Sequence, residues 1–254
     1  EHGMSSAANP RTHLEVLDNL AAVAARAAEL FVSRARATRE SARFTVALSG
    51  GSTPKAFHNL LAAPPYRDAV DWSRVHFYWG DDRTVAPDDP DSNFRMARET
   101  LLDKLPIAEA QIHRIHTELG ATAAAALYAD ELRLDFHLVP GQLPRLDVLY
   151  LGMGPDGHTA SLFPHTAALH ITDRLVTAND VPQLSTTRIT LTAPVLNNAA
   201  TVAFLVVGAD KASALTHVLE GPPDPDTYPS QRIAPTDGDL FWLVDTAAVN
   251  LSRR

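Results

Sequence analysis

Four apolar runs of this chain break off in the same way, at or one residue before a glycine that leads straight into polar or charged residues. They are "TVALSGGST" (45–53), "HFYWGDDR" (76–83), "LDVLYLGMGPDGH" (146–158) and "AFLVVGADK" (203–211). Short, continuous runs rich in β-branched and aromatic residues read as strands buried on both faces. Between them lie stretches with helical spacing. Residues 12–40 are Ala-rich, with Leu14, Leu17, Ala21, Ala24 and Ala28 on one expected helix face. "TPKAFHNLLA" begins with Thr53 as a cap and Pro54 at the first helical position. "NFRMARETLLDKL", "ATAAAALYADELRLDF" and "DKASALTHVLE" (210–220) are further helices, and "RITLT" (188–192) and "DLFWLVD" (239–245) further strands. The alternation predicts an α/β fold, an open, mostly parallel, Rossmann-like sheet with helices on both faces. Ligands of such sheets sit beyond the carboxyl ends of the strands. The four glycine-polar clusters are therefore expected along one edge.

The chain has 254 residues and no cysteine, which excludes a disulfide framework, a thiol nucleophile and a Cys-based metal site, and fits a reducing, cytoplasmic setting. A net charge of -8 argues against nucleic acid or an anionic membrane as partner. An anionic ligand must then be held by a local cationic pocket. No run is apolar and long enough to cross a membrane, and no signal peptide is seen. The loop-like tracts "LAAPPYRD", "TVAPDDPDS" and "LEGPPDPDTYPS" are too short to be linkers, so residues 5–254 read as one domain. "EHGM" (1–4) reads as an expression scar.

Each cluster carries chemistry. Ser49-Gly50-Gly51-Ser52 joins a strand to a helix, where backbone N–H groups and the helix dipole can close on phosphate. It lacks Walker spacing. A rival reading takes "ALSGG" as a nucleophile elbow with Ser49 attacking, but no histidine follows in a suitable place. In Gly80-Asp81-Asp82-Arg83, Arg83 can grip phosphate or polarise a carbonyl, Asp81 or Asp82 can orient it, and Asp81 is also a candidate substrate contact. In Asp156-Gly157-His158, the imidazole is the candidate general base, since it titrates near neutrality. Lys211 and, more weakly, Arg188 are phosphate candidates. His113 and His116 show helix-like spacing without a third ligand, so no metal is expected.

The blocks "LSGGSTP", "WGDDRTVAPDDPDSNFRMARETLL", "LGMGPDGHTASLFP" and "RITLTAPVLNNAATVAFLVVGADKASAL" together resemble the 6-phosphogluconolactonase family, from the first glycine-ended strand to about residue 220. The resemblance implies the sheet of the glucosamine-6-phosphate deaminase/ribose-5-phosphate isomerase superfamily. It implies hydrolysis of 6-phospho-D-glucono-1,5-lactone, the second step of the oxidative pentose phosphate pathway, without a cofactor and in a monomer. By motif it makes His158 the base and Arg83 a substrate or oxyanion contact, and Asp156, two residues before the histidine, is expected to orient the imidazole. The resemblance places phosphate on the Ser49–Ser52 loop with Lys211. The related deaminases carry a glutamate five residues beyond the histidine and a tyrosine after the acid pair. This chain has Phe163 and Arg83 there. Exchanging an acid–base group for a cation suits ester hydrolysis. A deaminase-like isomerase and a non-catalytic sugar-phosphate sensor remain the alternatives.

Overall fold

The computed structural model describes residues 11–249; the expected expression scar at 1–4 lies outside them. Nine strands and seven α-helices follow in order: β1 Thr12–Leu17, α1 Leu20–Ala37, β2 Phe44–Leu48, α2 Ser52–Leu61, β3 Val75–Trp79, β4 Asp81–Arg83, α3 Asn93–Thr100, α4 Ala121–Asp135, β5 Val148–Leu151, β6 Val176–Val181, β7 Thr186–Leu191, α5 Ala193–Leu196, β8 Thr201–Val206, α6 Ala212–Glu220, β9 Asp239–Asp245 and α7 Thr246–Val249.

Six strands form one sheet in the order β1-β9-β8-β5-β2-β3, and every pairing in it is parallel. All residues of β2, β5 and β8 are buried, as expected for strands covered on both faces. Phe31 of α1 meets Phe44 and Trp72 beneath one part of the sheet, and Phe204 stacks on Trp242 at 3.8 Å in another.

Thr53, expected to cap the second helix, lies inside it, the helix starting at Ser52 after Gly51 with no side-chain cap, and two larger expectations change. The helix predicted over 12–40 starts only at Leu20; Thr12–Leu17 is a strand paired with β9, Thr12 against Leu240 through Leu17 against Asp245. Asn19 sets the boundary, its side-chain oxygen accepting from the Ala22 amide at 3.0 Å. Leu14, expected on the buried helix face, is exposed on this edge strand. Tertiary pairing has overridden a local helical pattern.

The other change concerns "GDDR" and "RITLT". They belong to a second, antiparallel sheet, β4-β7-β6, rather than to a loop and to the main sheet. Gly80 hinges the two sheets: its N–H donates to Leu48 in the parallel sheet, and its carbonyl accepts from Leu191 in the antiparallel one. The small sheet thereby stands over the carboxyl end of β3.

Candidate active site

Strands β8, β5, β2 and β3 are neighbours and run the same way, so the segments leaving their carboxyl ends share one edge, with adjacent strands about 4.8 Å apart. Those segments carry Lys211, His158, the Ser49–Ser52 loop and Gly80.

The tightest arrangement is at His158. Nδ1 lies 2.5 Å from Asp156 Oδ1, and the same oxygen accepts the His158 amide at 3.1 Å. A carboxylate on Nδ1 selects the tautomer whose Nε2 carries a lone pair, the form a general base needs. The side chain of His158 is 28% exposed. Burial pushes the Asp156 carboxyl up, but the hydrogen bond and charge of His158, helped by backbone N–H groups, bring it net below the ordinary carboxylate range. Gly154 donates to the His158 carbonyl, closing the turn at 2.9 Å. A Cβ on Gly154 would lie 2.2 Å from the imidazole and 2.6 Å from Asp156 Oδ1. Glycine is needed there because the His158–Asp156 pair lies on its backbone. Gly154→Ala is therefore expected to lower kcat about 10²-fold by displacing the ring, with circular dichroism unchanged; a wild-type kcat would contradict this geometry.

The segment after His158 is clamped from several elements. Thr159 Oγ1 donates to Gly152, and Ser161 Oγ to Asp81 Oδ2 at 2.7 Å. Ser230 donates to the Gly157 carbonyl through both its amide and its hydroxyl. Phe163 stacks on His158, with ring centroids 4.2 Å apart and planes at 22°.

Arg83 and Arg188 occupy facing positions of the β4–β7 pair. Like charges opposite each other in a sheet destabilise it. Among the described residues neither arginine forms an ion pair, and the Nε of each is buried without a partner. One Arg83 nitrogen donates to the Asp91 carbonyl at 2.8 Å. Burial, and next the charge of Arg83, hold Arg188 below its ordinary value. Two half-buried guanidiniums without an ion pair are suited by chemistry to receive an anionic or carbonyl oxygen.

The acid pair has other work. Asp82 Oδ1 accepts from the amides of Arg83 and Asn93, and its Oδ2 from that of Phe94, capping α3. Burial pushes it up to about 6. Asp81 holds Ser161, so neither carboxylate ion-pairs with Arg83 in the way the sequence suggested.

Ser49 Oγ donates to the Tyr150 carbonyl at 2.5 Å and is buried. A hydroxyl tied to the adjacent strand, with no histidine beside it, does not make a nucleophile. Gly50 packs so closely on Asn93 that a Cβ would meet Asn93 Oδ1 at 1.9 Å. Gly51, at φ +108°, turns the chain into α2. The Ser52 and Thr53 amides, at an exposed helix start, have no backbone acceptor, as a phosphate cradle requires. Lys211 follows Gly208, itself at φ +108°, beyond β8.

The structure thus brings His158, Asp156 and Arg188 together through Phe163, and sets Arg83 beside Arg188. It places the Ser49–Ser52 loop and Lys211 on the same edge. Ser161, Asn93 and Ser230 went unnoticed in the sequence, and Phe163 was noted only as the residue replacing the deaminase glutamate; Ser161 was open to detection only through its closeness to His158. His113 takes a structural part, bonded to Asp135 and His76 and stacked on Tyr78. Among the described residues no group of three or more His, Asp or Glu side chains is arranged to hold a metal. No helix among them is long and apolar enough to cross a membrane. A cavity of about 1040 Å³ beside α3 and α4 is elsewhere, lined by Arg95, Arg98 and Arg114, each already paired with a glutamate or aspartate.

Residues 18–242 match the family model described as glucosamine-6-phosphate isomerases/6-phosphogluconolactonase. The 6-phosphogluconolactonase of Nostoc sp. is 44% identical over 237 residues, covering 92% of this chain and 96% of that protein. The solved 6-phosphogluconolactonase of Trypanosoma cruzi superposes with a TM-score of 0.84 at 26% identity, covering 96% of this chain and 97% of that one. A monomeric glucosamine-6-phosphate deaminase shares the fold, with a TM-score of 0.78 at 16% identity over 94% of this chain and 99% of its own. With its strand-end site and these matches over nearly its whole length, the chain belongs to the glucosamine-6-phosphate isomerase/6-phosphogluconolactonase family.

Proposed function

We propose that this chain hydrolyses 6-phospho-D-glucono-1,5-lactone to 6-phospho-D-gluconate, acting as a cytoplasmic, single-domain monomer without a cofactor. One observation carries the reading: an imidazole held by a carboxylate at Nδ1 stacks on Phe163, whose ring also lies 5.7 Å from the Arg188 guanidinium, and Arg188 faces Arg83 with no ion pair to either among the described residues. Nε2 of His158 takes a proton from water as the water oxygen bonds to C1. Negative charge then gathers on the carbonyl oxygen, where Arg83 and Arg188 receive it. As the intermediate collapses, the bond from C1 to the ring oxygen breaks, and the imidazolium returns its proton to that oxygen. Asp156 keeps the ring in the reactive tautomer throughout.

The far phosphate sits on the amides of Ser52 and Thr53 with Lys211. Arg188, expected from the sequence as a phosphate contact, is assigned in this proposal to the reacting carbonyl, a role its position opposite Arg83 supports. The deaminase alternative is disfavoured by Phe163, an apolar ring on the base where that chemistry uses a carboxylate.

Binding energy from the phosphate orients C1. Lys211→Ala is thus expected to raise KM about tenfold and leave kcat within a few-fold. Unphosphorylated gluconolactone is expected to be a poor substrate. Steady-state rates on both lactones, corrected for spontaneous hydrolysis, test this; equal kcat/KM values would overturn the phosphate anchor.

A further inference from the structure

We propose that Phe163 is a positioning residue for the general base, locking the imidazole plane and tying it to the guanidinium that receives the oxyanion. The inference rests on the reading of His158 as the base and adds the group that aims it. Asp156 holds the His158 ring through one atom contact, which restrains Nδ1 but leaves the ring free to pivot about it. The stack with Phe163 at 4.2 Å and 22° removes that freedom. Phe163 is itself only 3% exposed, so its ring has little room to move.

Its backbone is held as firmly. The Phe163 carbonyl accepts from the Thr166 hydroxyl at 2.7 Å, and Thr166 Oγ1 accepts from Asn179 Nδ2 at 2.9 Å. The same amide group donates to the Ser161 carbonyl at 2.9 Å. Asn179, buried on β6, lies opposite Arg188 on β7. The Arg188 guanidinium carbon is 5.7 Å from the centroid of the Phe163 ring. One pair of strands therefore carries both the oxyanion group and the clamp that sets the aromatic ring, and the ring touches the base. The distance between proton acceptor and oxyanion site becomes a property of the small antiparallel sheet as well as of the loop that carries His158.

An aromatic face is also a better neighbour for an imidazolium than for a neutral ring. Phe163 thus favours the charged base that exists only after proton transfer, an interaction that acts on kcat rather than on binding.

The experiment compares Phe163→Leu, Phe163→Tyr and His158→Ala in the full chain on the phosphorylated lactone, with a thermal melt of each. Phe163→Leu keeps apolar bulk but loses the ring; kcat is expected to fall about 10–100-fold with KM within about twofold. Phe163→Tyr restores the stack and is expected to remain within a few-fold of wild type. A Phe163→Leu kcat within twofold of wild type overturns the inference. So does an equal loss in the leucine and tyrosine variants accompanied by lowered melting temperatures, which assigns Phe163 to packing alone. His158→Ala separates the two levels: wild-type activity there sinks the base assignment itself, whereas an inactive His158→Ala beside a fully active Phe163→Leu sinks only the role of the ring.

Discussion

Replacing His158 by alanine is expected to lower kcat by about 10²–10⁴ with KM nearly unchanged, the usual contribution of a positioned general base. The geometry requires the split. In the proposed binding mode His158 faces the reacting end of the substrate while the start of α2 and Lys211, on segments leaving different strands, hold the phosphate. Losing the imidazole removes proton transfer without disturbing those anchors. A δ-lactone already hydrolyses in water, so the variant should fall toward the background rate instead of to zero. The fold should survive, because the His158 side chain is part-exposed and Asp156 retains the Gly154–His158 turn through the backbone amide. A His158→Ala enzyme with near wild-type kcat would leave Asp156, Gly154 and Phe163 arranged around a spectator.

Replacing Arg83 by methionine is expected to cost about 10²–10³ in kcat, the loss that follows removal of one preorganised oxyanion donor. Methionine keeps the length of the stem and the packing at the strand while deleting the charge. Two effects compete. The variant loses a donor aimed at developing charge, but it also relieves the repulsion between Arg83 and Arg188. If the pair exists to bind an oxyanion, relief should show as unchanged or raised thermal stability together with the lost kcat. Stability and activity moving in opposite directions is the signature of a site built at the expense of the fold. A fall in melting temperature with kcat intact would instead make Arg83 a structural residue, acting through its bond to the Asp91 carbonyl.

The parallel sheet was legible in the sequence because its central strands are buried on both faces and end in glycine. The run 239–245 matches β9 residue for residue, and the glycine clusters do share one edge. The antiparallel sheet was not legible. β6 reads "VTANDV", with Asn179 and Asp180 breaking the apolar signal, and its Asn179 is buried only because it clamps Ser161 and Thr166. Without β6 and the turn at Gly80, nothing in the one-dimensional pattern sets Arg188 opposite Arg83. Phe163 was noted in the sequence as the replacement for the deaminase glutamate, but its stacking on the imidazole was not legible there. β1 failed for another reason: Leu14 and Leu17 fit a helical face, and only pairing with β9, more than two hundred residues away, makes the segment a strand. His158, Asp156 and the Ser49–Ser52 loop were readable because their glycines answer to close approach, at Gly154 by the base pair itself and at Gly50 by Asn93.

The measurement that bears most directly on the central claim is turnover of freshly generated 6-phospho-D-glucono-1,5-lactone by the wild-type chain, run beside His158→Ala and beside glucosamine-6-phosphate as substrate. The expected result is rapid lactone opening by the wild type, a rate close to spontaneous hydrolysis for the variant, and no ammonia from the amino sugar. Ammonia release from glucosamine-6-phosphate without acceleration of lactone opening would contradict it.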